Sequence, residues 1–87
     1  MFYVYVLQSD LDGLFYTGVT SDLKARLEEH KKGHVRSTMN RLPVRLIYYE
    51  ASLSQADAYR REKYLKSGPG KRYIKNRIKA YLASLTG

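Results

Sequence analysis

Residues 2–19, FYVYVLQSDLDGLFYTGV, decide the fold that the sequence predicts. Two runs rich in aromatic and β-branched residues, 2–7 and 14–19, flank the pair Asp12-Gly13. Such runs on either side of an Asp-Gly pair are typical of a β-hairpin. Because side chains alternate between the two faces of a strand, any unbulged loop with an even number of residues places Tyr5 and Tyr16 on the same face of the sheet.

A helix is predicted directly after the hairpin. Ser21 and Asp22 are suitable residues for its N-terminal cap, Leu23 and Leu27 form its apolar stripe, and Gly33 offers a stop. The following ten residues, 34–43, predict a loop.

A third strand and a second helix are predicted next. The strand covers residues 44–50 and begins after Pro43, which suits the start of a strand. Ser54, with Asp57 three residues later, resembles a capping box for a helix that runs to Ser67.

The last helix is predicted after a Gly-Pro-Gly break at residues 68–70. Its apolar residues recur with the helical period, at Ile74, Ile78, Tyr81, Leu82 and Leu85. The complete order, β-β-α-β-α-α, predicts an α+β fold in which three helices flank a small three-stranded antiparallel sheet.

Length and composition restrict the class of protein. The 87 residues are expected to form one domain, 1–87. The absence of Cys excludes a disulfide framework and a thiolate zinc site, and it is compatible with a reducing cytoplasm. The longest apolar run, residues 2–7, is too short for a membrane span or a signal peptide, so we expect a cytoplasmic protein.

The positive charge is concentrated near the C-terminus. The chain has 16 Lys and Arg against 8 Asp and Glu, and residues 63–87 contain seven basic residues and no acidic one. This asymmetry favours a polyphosphate partner such as nucleic acid. The alternative is a solvated helix face without a ligand.

Two polar residues border the apolar stripe of the first predicted helix. Arg26 and His30 are four residues apart, so they lie one above the other beside Leu23 and Leu27. For His30 alone, a structural role with satisfied hydrogen bonds is the alternative to a functional one.

Glu62 falls on the stripe that Ala58 and Leu65 form on the second predicted helix. A carboxylate that faces inward needs a partner, because an unpaired buried charge is costly. A divalent metal would serve, and the alternative is an ion pair with Arg26 or Arg61.

Together these residues resemble the GIY-YIG endonuclease family, in particular its short stand-alone bacterial members. The two name-giving motifs correspond to residues 3–5, YVY, and 16–18, YTG, with the motif tyrosines eleven positions apart. Further matching segments lie at residues 22–30, 36–43, 46–50 and 60–66, so the likeness covers a motif-bearing core of about 2–77. Tyr3-Val4 and Thr17 depart from the family's Gly-Ile and Ile, but both motif tyrosines are kept.

The resemblance implies a role for each of five residues. Tyr5 and Tyr16 would be the motif tyrosines, Arg26 the cation that contacts phosphate, and His30 an adjacent proton-handling residue. Glu62 would be the ligand of one divalent ion, Mg²⁺ or Mn²⁺. A phenol with a pKa near 10 costs about 4 kcal/mol to ionise at pH 7, and the sequence does not choose between the two tyrosines as the base.

The implied function is a divalent-metal-dependent endonuclease that hydrolyses phosphodiester bonds in DNA, in repair or recombination, with a protein partner as a source of target specificity. The residues expected to hold the nucleic-acid backbone are Arg60, Arg61, Lys63, Lys66, Lys71, Arg72 and Lys75. One alternative is a non-catalytic nucleic-acid-binding module with the same fold. Another is a protein whose last helix binds a membrane surface or a partner, which burial of Ile74 and Ile78 in the core would argue against.

Overall fold

A three-stranded antiparallel sheet in the order β2-β1-β3 forms the centre of the computed structural model, which describes residues 1–85. The strands are β1 (Phe2–Ser9), β2 (Phe15–Thr20) and β3 (Val44–Ser52). The helices of the described part are α1 (Leu23–Lys31), α2 (Gln55–Lys66), α3 (Gly68–Arg77) and α4 (Lys79–Ser84). The predicted α+β architecture is confirmed, with the last predicted helix divided into α3 and α4.

Side-chain caps begin α1 and α2 at the predicted positions. Asp22 Oδ1 accepts a hydrogen bond from the backbone N–H of Ala25 at 3.1 Å, and Ser54 Oγ accepts one from Asp57 at 3.4 Å. Each cap satisfies a backbone donor that the first turn of a helix leaves free. Gly33, just beyond α1, has a φ of 76°, which a glycine adopts without steric cost.

The predicted break between the second and the last helix is present, but it lies at Ser67 and not at residues 68–70. These residues form the first turn of α3, where Ser67 Oγ accepts a hydrogen bond from the N–H of Gly70 at 3.2 Å. Pro69 is tolerated because its missing N–H would have no partner within the helix at that position. The helical geometry is interrupted later, at Ile78, where φ is −113° and ψ is 29°.

The apolar core lies between the sheet and the helices α2 and α3. Alternate residues of β1 face it, and the buried members of this cluster are Val4, Val6, Ile47, Ala58, Leu65 and Ile74. Ile78 packs against the cluster from its rim. The burial of Ile74 and the packing of Ile78 argue against the membrane-surface alternative. No helix in the described part of the chain has the length and apolar character needed to cross a membrane.

Tyr5 lies in the central strand β1, so it has a paired residue on each side. Tyr5 pairs with Gly18 of β2 on one side and with Tyr49 of β3 on the other. A register shift between Val6 and Leu7 leaves Ile47 of β3 as the bulged residue.

A polar network joins β3 to the two helices that cover the core. The Tyr48 hydroxyl donates to Glu50 Oε2 at 2.8 Å, and Arg61 Nε donates to Glu50 Oε1 at 2.5 Å. The guanidinium carbon of Arg61 also lies 4.8 Å from the ring centroid of Tyr73. Arg61 is therefore engaged within the fold, unlike the exposed cations around it.

Gly70 is required where α3 approaches α2. A Cβ atom at this position would lie 2.0 Å from the carbonyl oxygen of Tyr64 and 2.5 Å from Cα of Leu65, and these backbone atoms cannot move aside without shifting α2. We expect Gly70→Ala to lower the free energy of unfolding by about 3 kcal/mol, measured by urea denaturation.

Gly68→Ala is the matched control, because the nearest atom to its added Cβ would be Arg72 Nη1 at 3.7 Å. This variant should stay within about 0.5 kcal/mol of the wild type. Equal effects of the two substitutions would contradict the close approach of the helices at Gly70.

Candidate active site

A buried chain of hydrogen bonds connects Tyr5, His30 and Thr38. The Tyr5 hydroxyl is 2.8 Å from His30 Nε2, and His30 Nδ1 is 2.7 Å from Thr38 Oγ1. Tyr5 and His30 are 1% exposed and Thr38 is 0% exposed. A neutral imidazole has one N–H, so His30 donates one of these bonds and accepts the other. Both ring nitrogens are occupied, which is the satisfied arrangement that a structural histidine requires.

Burial keeps both members of the Tyr5–His30 pair neutral. Desolvation, reinforced by the positive charge of Arg26, lowers the pKa of His30 to about 4. Desolvation also raises the pKa of Tyr5 to about 12, although the nearby guanidinium of Arg26 opposes the rise. At neutral pH the pair therefore consists of a phenol and an uncharged imidazole.

Tyr16 lies beside this pair, as the parity of the hairpin predicts. Its ring centroid is 6.3 Å from that of Tyr5 and 5.2 Å from that of His30. These separations are typical of aromatic contacts. Tyr16 is only partly buried, whereas Tyr5 is enclosed, so Tyr16 is the phenol of the pair that solvent reaches.

Gly18 makes room for the Tyr5 phenol. A Cβ atom at Gly18 would lie 2.6 Å from the Tyr5 hydroxyl oxygen and 2.7 Å from Cζ. No Cβ is tolerated at that distance, so a larger residue would displace the phenol from His30.

Arg26 extends from α1 toward the same cluster. Its side chain is 34% exposed and its Nη1 lies 3.5 Å from Glu29 Oε1. Its effects on the pKa values of Tyr5 and His30 show that its charge acts on both groups. An exposed ion pair of this kind is weak, which leaves the guanidinium available to an anion.

Glu62 has an ion-pair partner outside the cluster of Tyr5, Tyr16, Arg26 and His30. It belongs to α2, on the stripe with the buried Ala58 and Leu65, and its side chain is 21% exposed. Its ion-pair partner is Lys66 at 3.3 Å, so the alternative of a pair with Arg26 or Arg61 is wrong. Four of the five predicted residues thus lie together, and among the described residues no hydrogen bond or ion pair joins Glu62 to them.

Among the five predicted site residues, Glu62 has the one carboxylate, the kind of ligand that a hard cation such as Mg²⁺ prefers. Residues 1–85 contain no group of three or more His, Cys, Asp and Glu side chains that could hold a metal ion. Mg²⁺ does not require such a group, because it commonly binds one or two carboxylates and takes its other ligands from water and substrate phosphate. A mostly buried carboxylate whose partner, Lys66, is 56% exposed fits that pattern.

The basic residues predicted to hold nucleic acid divide into two groups. Arg61 is partly buried and bound to Glu50, as described above. The others are exposed: Arg60, Lys63, Lys66, Lys71, Arg72 and Lys75. Arg60 pairs with Asp57 at 3.1 Å, and both side chains of this pair remain open to solvent.

Sequence reasoning missed two residues of the cluster. Thr38 lies in the loop at 34–43, and no local pattern indicates that this hydroxyl closes onto a histidine eight residues earlier. Gly18 carried a signal that could have been used, because a glycine inside a strand often marks the close approach of another group.

The sheet, the paired tyrosines and the adjoining His and Arg define a GIY-YIG catalytic domain, and the family model of that name matches residues 1–76. The chain therefore belongs to the GIY-YIG family. A UPF0213 protein of Streptococcus agalactiae serotype V is 46% identical over 65 residues, which cover 74% of this chain and 73% of the relative. A UPF0213 protein of Streptococcus pyogenes serotype M3 is 41% identical over 83 residues, or 94% of this chain and 85% of the relative.

A solved structure is also similar in sequence. The solution NMR structure of a UPF0213 protein from Bacillus halodurans is 36% identical, and the comparison covers 100% of this chain and 87% of that chain with a TM-score of 0.48. Small bacterial UPF0213 proteins are thus relatives of this chain.

The neutral state of His30 predicts a loss of stability in mild acid. The pKa of about 4 in the folded protein lies below the value of 6.5 for an unfolded chain, so between these pH values the unfolded chain binds more protons. The free energy of unfolding should fall by about 2–3 kcal/mol as the pH falls from 6.5 to 4.

Urea denaturation at several pH values measures this slope, with His30→Gln as the comparison. The variant removes the titrating group, so its unfolding free energy should depend less on pH in the same window. A wild-type stability that is constant between pH 6.5 and 4 would contradict the buried neutral state of His30.

Proposed function

We propose that the protein is a divalent-metal-dependent endonuclease that hydrolyses phosphodiester bonds in DNA. The observation that carries the proposal is the convergence of Tyr5, Tyr16, Arg26 and His30 on one face of the sheet, in a chain that belongs to the GIY-YIG family. A phosphodiester is anionic, so its hydrolysis needs a cation at the non-bridging oxygens, a base for the attacking water and stabilisation of the leaving oxygen.

Tyr16 is the better candidate for the residue that accepts a proton from water. Ionising Tyr5 at pH 7, with its pKa of about 12, would cost about 7 kcal/mol. Tyr5 is also enclosed and hydrogen-bonded to His30, whereas Tyr16 is reached by solvent. We therefore assign Tyr16 as the residue that accepts the proton from water, and Tyr5 as a residue that orients the cluster.

His30 acts as a positioning residue in this proposal. Its two ring nitrogens bind Tyr5 and Thr38, so neither is left for substrate. The hydrogen-bonded pair of Tyr5 and His30 forms the surface against which the Tyr16 ring packs. Arg26, beside this pair, offers the planar donors of its guanidinium to the phosphate.

Glu62 would hold the divalent ion, Mg²⁺ or Mn²⁺, through a carboxylate oxygen. A bound ion supplies positive charge to the developing negative charge of the phosphate and the leaving oxygen. The ion pair of Glu62 with Lys66 is partly exposed, so breaking it costs little free energy. The exposed cations of α2 and α3 would hold the DNA backbone without reading its bases.

Glu62→Ala tests the metal-dependent reaction. The purified protein with Mg²⁺ or Mn²⁺ should cut flapped, branched or single-stranded DNA, the structures that arise in repair and recombination. The variant should lose about 100-fold or more of the cleavage rate, because it lacks the metal ligand. Glu28→Ala is the matched control, since Glu28 is an exposed carboxylate paired with Lys31 on α1.

Two results would contradict the catalytic proposal. One is DNA of all three kinds left intact with either metal, and the other is cleavage by Glu62→Ala at the wild-type rate. Salt-dependent DNA binding that is independent of metal and unchanged in Glu62→Ala, without cleavage, would favour the non-catalytic binding module.

The two tyrosine variants separate the base from the positioning residue. Tyr16→Phe should lower kcat by about 100-fold or more with little change in KM, because a general base contributes to the transition state. Tyr5→Phe should lower kcat less, and should lower the free energy of unfolding by about 1–3 kcal/mol by leaving a buried ring nitrogen of His30 unpaired. Single-turnover cleavage and urea denaturation measure the two effects, and a larger kcat effect for Tyr5→Phe would reverse the assignment.

A further inference from the structure

A cavity separate from the Tyr5–His30 cluster lies between the turn of the β1–β2 hairpin and α3. Its volume is about 190 Å³, and it is lined by Gly13, Leu14, Phe15, Arg41, Lys71 and Lys75. An adjoining cavity of about 460 Å³ shares three of these residues and adds a further cation, Lys79. The whole groove is therefore bordered by cations from a loop and from two helices.

Arg41 is the partly buried cation of the smaller cavity. Its side chain is 25% exposed, and its backbone carbonyl accepts a 2.6 Å hydrogen bond from Ser9 Oγ, which ties the loop to the hairpin. Its Nε lies 3.4 Å from Asp12 Oδ2, at ion-pair distance but outside hydrogen-bond geometry. In the described part of the chain, this Nε is the one buried side-chain polar atom without a hydrogen-bond partner. A buried donor without a hydrogen bond is unusual, and an anionic oxygen of a ligand would complete its hydrogen bonding.

Lys71 and Lys75 complete the set of cations. They are one helical turn apart on α3, so they project from the same side of the helix. Both are exposed, and among residues 1–85 neither forms an ion pair. The Lys75 ammonium lies 5.8 Å from the centroid of the Phe15 ring, which holds it over the wall of the cavity. Three cations against the single carboxylate of Asp12 leave the cavity positive.

We propose that this cavity binds a phosphate group of the DNA strand, at a position separate from the scissile phosphate. The proposal rests on DNA being the substrate, as proposed above. Phe15 and Tyr16 are consecutive residues of β2, an edge strand, so their side chains lie on opposite faces of the sheet. A strand of DNA that passes over this edge would meet Tyr16 on one face and the cations of the cavity on the other.

The experiment measures binding without metal, so that it does not depend on cleavage. Inorganic phosphate and a single-stranded oligothymidylate, with and without a 5′-phosphate, are titrated into ¹⁵N-labelled protein in EDTA. We expect phosphate to shift the amide signals of Gly13, Leu14 and Phe15 in the wild type but not in Lys71→Ala/Lys75→Ala. For the oligonucleotide, the slope of log affinity against log salt should fall in magnitude by about 0.7, because the variant no longer neutralises the one phosphate held in the cavity.

Lys24→Ala/Lys32→Ala is the control, because it removes the same charge from exposed positions on and just after α1. It should keep both the phosphate-induced shifts and the wild-type salt slope. Tighter binding of the 5′-phosphorylated oligonucleotide would support occupation by a terminal phosphate, and equal binding of both oligonucleotides would support an internal one.

Unshifted hairpin amides in the wild type, or an equal fall of the slope in the control, would overturn the cavity as a phosphate site. If no DNA is cleaved with either metal but the phosphate shifts appear, the endonuclease proposal fails while the anion site stands. If DNA is cleaved but the Lys71→Ala/Lys75→Ala protein binds it with an unchanged salt slope, the phosphate site fails while the endonuclease proposal stands.

Discussion

The buried hydrogen bonds from Tyr5 through His30 to Thr38 are the constraint on which the rest of the candidate site depends. They join strand β1, helix α1 and the loop at 34–43, which contribute one side chain each. Buried polar groups are costly unless every member has a partner, so the three elements have to close together. The same requirement explains Gly18, because the phenol of Tyr5 occupies the space that a Cβ would need.

The two faces of the sheet have different chemistry because of this constraint. One face is covered by α2 and α3 with an apolar core, and the network of Tyr48, Glu50 and Arg61 borders it. The other face carries the aromatic and imidazole groups beneath α1. The edge strand β2 contributes residues to both faces, which is why the proposed catalytic tyrosine and the proposed phosphate cavity can serve one strand of DNA. The clustered positive charge of the sequence thus lies largely on the helices of the apolar face.

Local patterns predicted most of the fold, and the errors occurred where a local pattern has two interpretations. Alternation along the hairpin placed Tyr5 and Tyr16 together, and the cap residues Asp22 and Ser54 marked two helix starts. Gly-Pro-Gly at 68–70 was interpreted as a break, although glycine and proline are also accepted in a first helical turn when Ser67 caps it and α2 lies too close for a side chain. The interruption at Ile78 has no comparable residue signal.

The sequence by itself determined which side chains share a face within one helix or one hairpin: Arg26 with His30, Glu62 with Ala58 and Leu65, and Tyr5 with Tyr16 across the hairpin. It also carried the motifs of the GIY-YIG family. Only the tertiary structure decided that His30 is enclosed and bound to Thr38, that Glu62 pairs with Lys66, and that Arg41 meets Lys71 and Lys75 at one cavity. The physical reason is that periodicity sets the direction of a side chain along its own helix or strand. Distances between elements instead depend on how the loops close and how the core packs.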